Sequence, residues 1–85
     1  MGKITMFIRK DCPYCMRALA IQKNLMAKER YRDIEVEVID EREQAVLADR
    51  YDYYYVPSYF LGEEKLHEGA VDEVTIQTIL ERAIL

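Results

Sequence analysis

With 85 residues, 51% of them hydrophobic and 33% charged, the chain has material for one small core and none for a second, so residues 1–85 read as a single domain. A net charge of −4 argues against nucleic acid as a partner. No apolar run approaches the roughly 20 residues that span a bilayer, and no basic-then-apolar leader opens the chain, so the expected location is the cytoplasm.

Residues 3–8 form a short apolar run (Ile4, Met6, Phe7, Ile8) with little alternation, which predicts a strand covered on both faces. Pro13 suits the first turn of a helix, where its missing N–H costs nothing. From Tyr14 to about residue 28, Ala18, Ile21 and Leu25 recur at helical spacing beside Leu19 and Met26, predicting a helix with that core face. Residues 30–33 are polar and break the pattern. Ile34-Glu35-Val36-Glu37-Val38-Ile39 alternates and then turns apolar, which predicts a second strand. Asp40 is placed to cap a short helix over residues 41–49 with Leu47, Ala48 and Tyr51 inward.

Ser58-Tyr59-Phe60-Leu61 is the third strand, Gly62-Glu63-Glu64 a tight turn, and residues 65–68 the fourth strand of a β-hairpin. Gly69-Ala70 turns the chain. Asp72 caps a last helix to about residue 83, with Val74, Ile79, Leu80 and Ala83 on its core face. The order β-α-β-α-β-β-α opens with a right-handed parallel crossover and closes with an antiparallel hairpin. It predicts an α/β fold, a four-stranded mixed sheet flanked by three helices.

Both cysteines fall in Cys12-Pro13-Tyr14-Cys15, between the first strand and the first helix. That placement sets a thiol at the positive end of a helix, where the thiolate that attacks disulfides is favoured. A Cys-x-x-Cys pair at a strand-to-helix junction of a small α/β chain predicts thiol–disulfide exchange. A persistent structural bridge is disfavoured in a reducing compartment. No metal site is expected, because tetrahedral zinc takes about four ligands and His67 is the one further N/S donor of the usual kind. Residues 1–28 carry six bases and one acid, whereas residues 29–85 carry six bases and fifteen acids. Arg9, Lys10 and Arg17 from the basic part are close enough in sequence to favour a Cys12 thiolate. Of Tyr51, Tyr53, Tyr54 and Tyr55, alternate members are expected to fill the edge of the core, and His67 is read as a plain strand residue.

Over essentially its whole length the chain resembles a dithiol glutaredoxin of the thioredoxin superfamily. The residues that carry this are Cys12-Pro13-Tyr14-Cys15, Val56-Pro57, and Gly69 followed by Asp72 and Glu73. The resemblance implies a thioredoxin-like fold, with Cys12 as exposed nucleophile and Cys15 as the buried thiol that resolves the mixed disulfide. It implies a cis bond before Pro57, with the backbone of Val56 offered to an extended substrate. Arg9 or Lys10 would pair with one carboxylate of glutathione. The N–H groups of Asp72 and Glu73 would hold the other, with Pro13, Tyr14 and Gly69 in the same groove.

The implied activity is reduction of protein disulfides or glutathione mixed disulfides, in cell redox homeostasis and electron transport. The implied partners are disulfide-containing or glutathionylated proteins, met by a monomer with glutathione as co-substrate and no permanently bound cofactor. The chain departs from the family pattern at Ala70, where a second glycine is usual, at Tyr55, where Thr or Ser is usual, and at Arg9, where Lys is usual. Those departures suit an alternative electron donor, a thioredoxin reductase. A carrier that bridges an iron–sulfur cluster through Cys12 is the alternative of another class, and Pro13 speaks against it. Thioredoxins proper are less similar: they have Trp where this chain has Asp11, and a buried carboxylate for which residues 4–8 offer no counterpart.

Overall fold

A computed structural model describes residues 2–84. Strand β1 (Lys3–Ile8) leads into helix α1 (Pro13–Met26), and a 3-10 turn (Glu29–Tyr31) leads into β2 (Glu35–Asp40). The short helix α2 (Ala45–Ala48) precedes the hairpin of β3 (Ser58–Leu61) and β4 (Glu64–Glu68), and α3 (Glu73–Ile84) comes last. The sheet order is β2-β1-β3-β4. β1 pairs with β2 in parallel, Phe7 opposite Ile39. It pairs with β3 antiparallel, Thr5 opposite Phe60, and β3 pairs with β4 antiparallel. The expected order of elements and the mixed sheet are therefore both present. No helix among the described residues is long and apolar enough to cross a membrane.

Alternation along β1 divides the interior in two. Ile4, Met6 and Ile8, with Tyr59 from β3, face α1 and α3 and pack on Cys15, Ala18, Leu25, Ile76, Ile79, Leu80 and Ala83. Phe7, Ile39 and Phe60 face the other way, towards Ala48. α2 is too short to cover that second face, and tyrosines complete it. The Phe7 ring stacks on Tyr53 at 5.0 Å and meets Tyr51 at 4.7 Å. Tyr54 and Tyr55 are 85% and 69% exposed, so the strict alternation expected of the four tyrosines stops at Tyr53. Val56 fills the next inward position and touches both clusters.

Several local expectations are corrected by packing. The stripe of α1 is Cys15, Ala18, Gln22 and Leu25, with Ile21 only half-buried. Gln22 goes inward because the buried Tyr59 hydroxyl donates to its Oε1 at 3.3 Å, and a buried hydroxyl requires such a partner. α1 ends at Met26, two residues earlier than its periodicity suggests, because Lys28 is extended (φ −73°, ψ 142°) and enters the 3-10 turn. That turn buries Tyr31 in a stretch that looked like polar surface, and the Tyr31 hydroxyl donates to Glu81 at 2.6 Å.

The helix expected over residues 41–49 contracts to Ala45–Ala48. Asp40 closes β2, and its carboxylate holds a tight turn, accepting the N–H groups of Arg42 at 2.8 Å and Glu43 at 3.3 Å. In α3 the cap is as expected, with the Thr75 N–H donating to Asp72 Oδ1 at 2.8 Å. The core stripe is Ile76, Ile79, Leu80 and Ala83, while Val74 is 70% exposed. Val74 lies two residues from Ile76, about 200° around a helix, and so faces away from the stripe.

Candidate active site

Cys12 is the N-cap of α1, with Pro13 in the first helical position. Its carbonyl oxygen accepts the N–H groups of Cys15 and Met16, each at 3.1 Å, and its own N–H donates to Arg9 O at 3.1 Å. Pro13 has no N–H to offer and its ring presets the φ of the first turn, so sequence alone starts the helix at this point. The Cys12 side chain is half-buried, and its Sγ lies 4.0 Å from the carbonyl oxygen of Val56.

Cys15, one turn further on, is fully buried. Burial pushes its thiol up to about 12, the neighbouring Cys12 sulfur and the Glu41 carboxylate push the same way, and a backbone hydrogen bond from Arg9 opposes them. The two sulfurs thus occupy different settings, one open to a partner and one kept protonated inside.

The wall facing Cys12 is the segment before β3. The Val56–Pro57 peptide bond is cis, as the resemblance implies. Pro57 O accepts the Gly69 N–H at 2.9 Å, and the Ser58 hydroxyl donates to Tyr55 O. Gly69 has φ +93°, a left-handed conformation that a β-carbon disfavours, which accounts for glycine there. Glu68 Oε2 accepts the N–H groups of Tyr54 at 2.9 Å and Tyr55 at 3.1 Å, and Lys65 donates to Glu68 Oε1 at 2.5 Å. The Lys65 ammonium first, and then those two N–H groups, draw the Glu68 carboxyl down to about 2. Glu68 was not legible as a site residue, because nothing local marks a carboxylate that reaches residues 13 and 14 positions earlier.

The fold brings Cys12, Cys15, Val56, Pro57 and Gly69 together. It treats the charged candidates differently. Lys10 is turned to Glu43, Nζ to Oε2 2.5 Å, and its N–H donates to Asp40. Arg9 Nε lies 3.6 Å from Asp11 Oδ1 and 3.7 Å from Glu41 Oε2, buried and without a hydrogen-bond acceptor among the described residues. Glu41 Oε1 in turn accepts the Tyr53 hydroxyl at 2.8 Å. Asp72 spends its carboxylate on capping α3. The Thr75 backbone holds that carboxyl below its ordinary range, and the charge of Arg17 contributes a smaller share.

Tyr14 is 60% exposed at the second position of α1, and Glu73 is exposed at the first position of α3. His67 Nε2 sits 3.1 Å from Ala70 O, a local contact within the turn after β4. Surface hollows lie elsewhere. One of about 470 Å³ is floored by Tyr51 and Phe60 on the α2 side of the sheet. Among the described residues no group of three or more His, Cys, Asp or Glu is placed to hold a metal ion.

The glutaredoxin family model matches residues 4–66, which spans most of β1, the cysteine motif, the cis-proline segment and most of the hairpin. The chain belongs to the glutaredoxin family. Its neighbours among solved structures are thioredoxin-like. An uncharacterised thioredoxin-like protein from Clostridium perfringens shares 26% identity, over 98% of this chain and 71% of that one, with a TM-score of 0.68. A variant thioredoxin from Halobacterium salinarum shares 24% over 95% of this chain and 73% of that one, with a TM-score of 0.73. Oxidised thioredoxin from Plasmodium falciparum shares 14% over 94% and 78%, also at 0.73. No curated protein matches the chain. This glutaredoxin-family chain thus has the thioredoxin-like fold, and its family is one of thiol–disulfide oxidoreductases.

Proposed function

We propose that this glutaredoxin-family protein reduces disulfides through a two-thiol cycle in which Cys12 attacks and Cys15 resolves. One observation carries the reading. The half-buried Cys12 caps α1 beside the Val56 carbonyl, while Cys15, one turn inside, is shielded from solvent. The thiolate is the form of a cysteine that attacks a disulfide, and Cys12 is the sulfur placed to meet one.

The Cys12 thiolate displaces one sulfur of a substrate disulfide. A Cys12–substrate S–S bond forms, the substrate bond breaks, and the departing thiolate takes a proton from solvent. Cys15 then loses its proton and attacks Cys12 Sγ. The Cys12–Cys15 disulfide closes, the second substrate sulfur leaves as a thiol, and two electrons have passed to the substrate. Protein disulfides and glutathione mixed disulfides both offer such a bond. An external dithiol or a pair of thiols reopens the Cys12–Cys15 bridge.

Single turnover of the reduced protein against a protein disulfide tests this. Cys12→Ser removes the reaction entirely. Cys15→Ser leaves the first step and traps the protein in a mixed disulfide that mass spectrometry detects. Full activity in Cys12→Ser would falsify the proposal.

A further inference from the structure

We infer, on the basis of the two-thiol reading above, that the groove at Cys12 selects half-cystines flanked by apolar side chains in a polypeptide and disfavours glutathione. Apolar side chains stand exposed on the segments that flank the thiol. Tyr14 and Met16, in the first turns of α1, are 60% and 40% exposed. Tyr55 is 69% exposed and immediately precedes Val56, whose carbonyl faces Cys12. Val74, in the first turn of α3, is 70% exposed two residues past Asp72. Large apolar side chains left in water beside a reactive atom gain free energy when a partner covers them.

Charge points the same way. Glutathione carries a carboxylate at each end and has a small apolar surface, so a site that holds it needs cations or free N–H donors. The Lys10 ammonium is engaged by Glu43, and Arg9 lies between Asp11 and Glu41. At the start of α3 the Asp72 carboxylate, which accepts the Thr75 N–H, and Glu73 bring negative charge. A dianionic disulfide therefore meets internally neutralised bases and added acids, whereas an uncharged extended segment meets aromatic and aliphatic side chains around the Val56 backbone.

The chemistry is unchanged by this selectivity. The polypeptide disulfide accepts two electrons and leaves as two thiols while Cys12 and Cys15 are joined.

The experiment mixes fully reduced protein, in single turnover, with three probes: oxidised glutathione, the disulfide dimer of acetyl-Phe-Cys-Phe-amide, and the dimer of acetyl-Asp-Cys-Asp-amide. Closure of the Cys12–Cys15 bridge is followed by quenching with an alkylating agent and mass analysis, so no electron donor enters the comparison. The Phe-flanked disulfide oxidises the protein about tenfold faster than either anionic probe, a discrimination of about 1.4 kcal/mol. Tyr55→Ser and Val74→Lys, both at exposed positions, each lower the ratio of the Phe-probe rate to the glutathione rate by roughly threefold or more. Oxidised glutathione or the Asp-flanked probe reacting as fast as the Phe-flanked one overturns the inference, as does a ratio that neither substitution moves. A protein that no probe oxidises overturns the two-thiol reading itself, which is a separate and recognisable result.

Discussion

Glu68 holds Tyr55 from the neighbouring strand: its Oε2 accepts the Tyr55 N–H at 3.1 Å and the Tyr54 N–H at 2.9 Å. The segment that presents Val56 to Cys12 is thereby tied to β4 by a side chain, in addition to the Gly69 N–H on Pro57 O. Glu68→Ala releases both tyrosine N–H groups. Amide exchange at Tyr54 and Tyr55 then accelerates while the strands keep their protection, and the rate on a protein disulfide falls by about tenfold through misplacement of Val56. Slow exchange at those two amides in the variant would show that the carboxylate does not hold the segment.

Acid weakens the fold through the same group. Glu68 and Glu81 both have carboxyls drawn from 4.5 to about 2, by Lys65 and by Arg30 respectively before all else. A carboxyl that is lower when folded binds fewer protons in the native state. Its stabilisation is complete above about 4.5 and is lost as pH falls towards about 2. Denaturant midpoints therefore stay level from neutral pH down to that upper value and decline below it. In Glu81→Gln the decline is shallower, and an unchanged slope would contradict the assignment.

Cys15 titrates the other way. Burial is the largest of the causes that raise its thiol and it persists in Cys12→Ser, so the thiol stays protonated at neutral pH. Iodoacetamide then modifies Cys15 at a rate well below that of a free peptide thiol, and the rate climbs as pH rises. Modification as fast as in the unfolded chain would place Cys15 outside the interior.

Phe7 carries the thinly covered face of the sheet. It is fully buried among Tyr51, Tyr53 and Phe60, with ring centroids 4.7, 5.0 and 5.9 Å away. Phe7→Ala leaves a cavity that the four-residue α2 cannot close, at a cost of about 3–5 kcal/mol. Urea denaturation measures it. A loss below ~1 kcal/mol would mean that the tyrosines collapse into the space.

Gly69→Ala tests the turn after β4. The space beside Gly69 is open, so the penalty comes from φ +93° alone and amounts to about 1 kcal/mol or more. Thermal denaturation reads the loss. A midpoint equal to that of the native chain would show that the turn relaxes without cost.

What the amino-acid sequence determined by itself was whatever depends on near neighbours. The order β-α-β-α-β-β-α, the start of α1 at Pro13, the cap of α3 at Asp72, and the placing of Cys12 and Cys15 one turn apart all follow from spacing, caps and turn chemistry over a few residues. Tertiary structure decided what depends on residues far apart in the chain. Lys10 meets Glu43, Tyr31 meets Glu81, and Gln22 meets Tyr59, across 33, 50 and 37 residues. Such pairings exist only once the sheet order has brought the elements together. Each answers a demand for charge or hydrogen-bond partners that no local pattern records. The same holds for Val74 and Ile76, equally apolar by composition, of which packing on β1 chose the one that faced it.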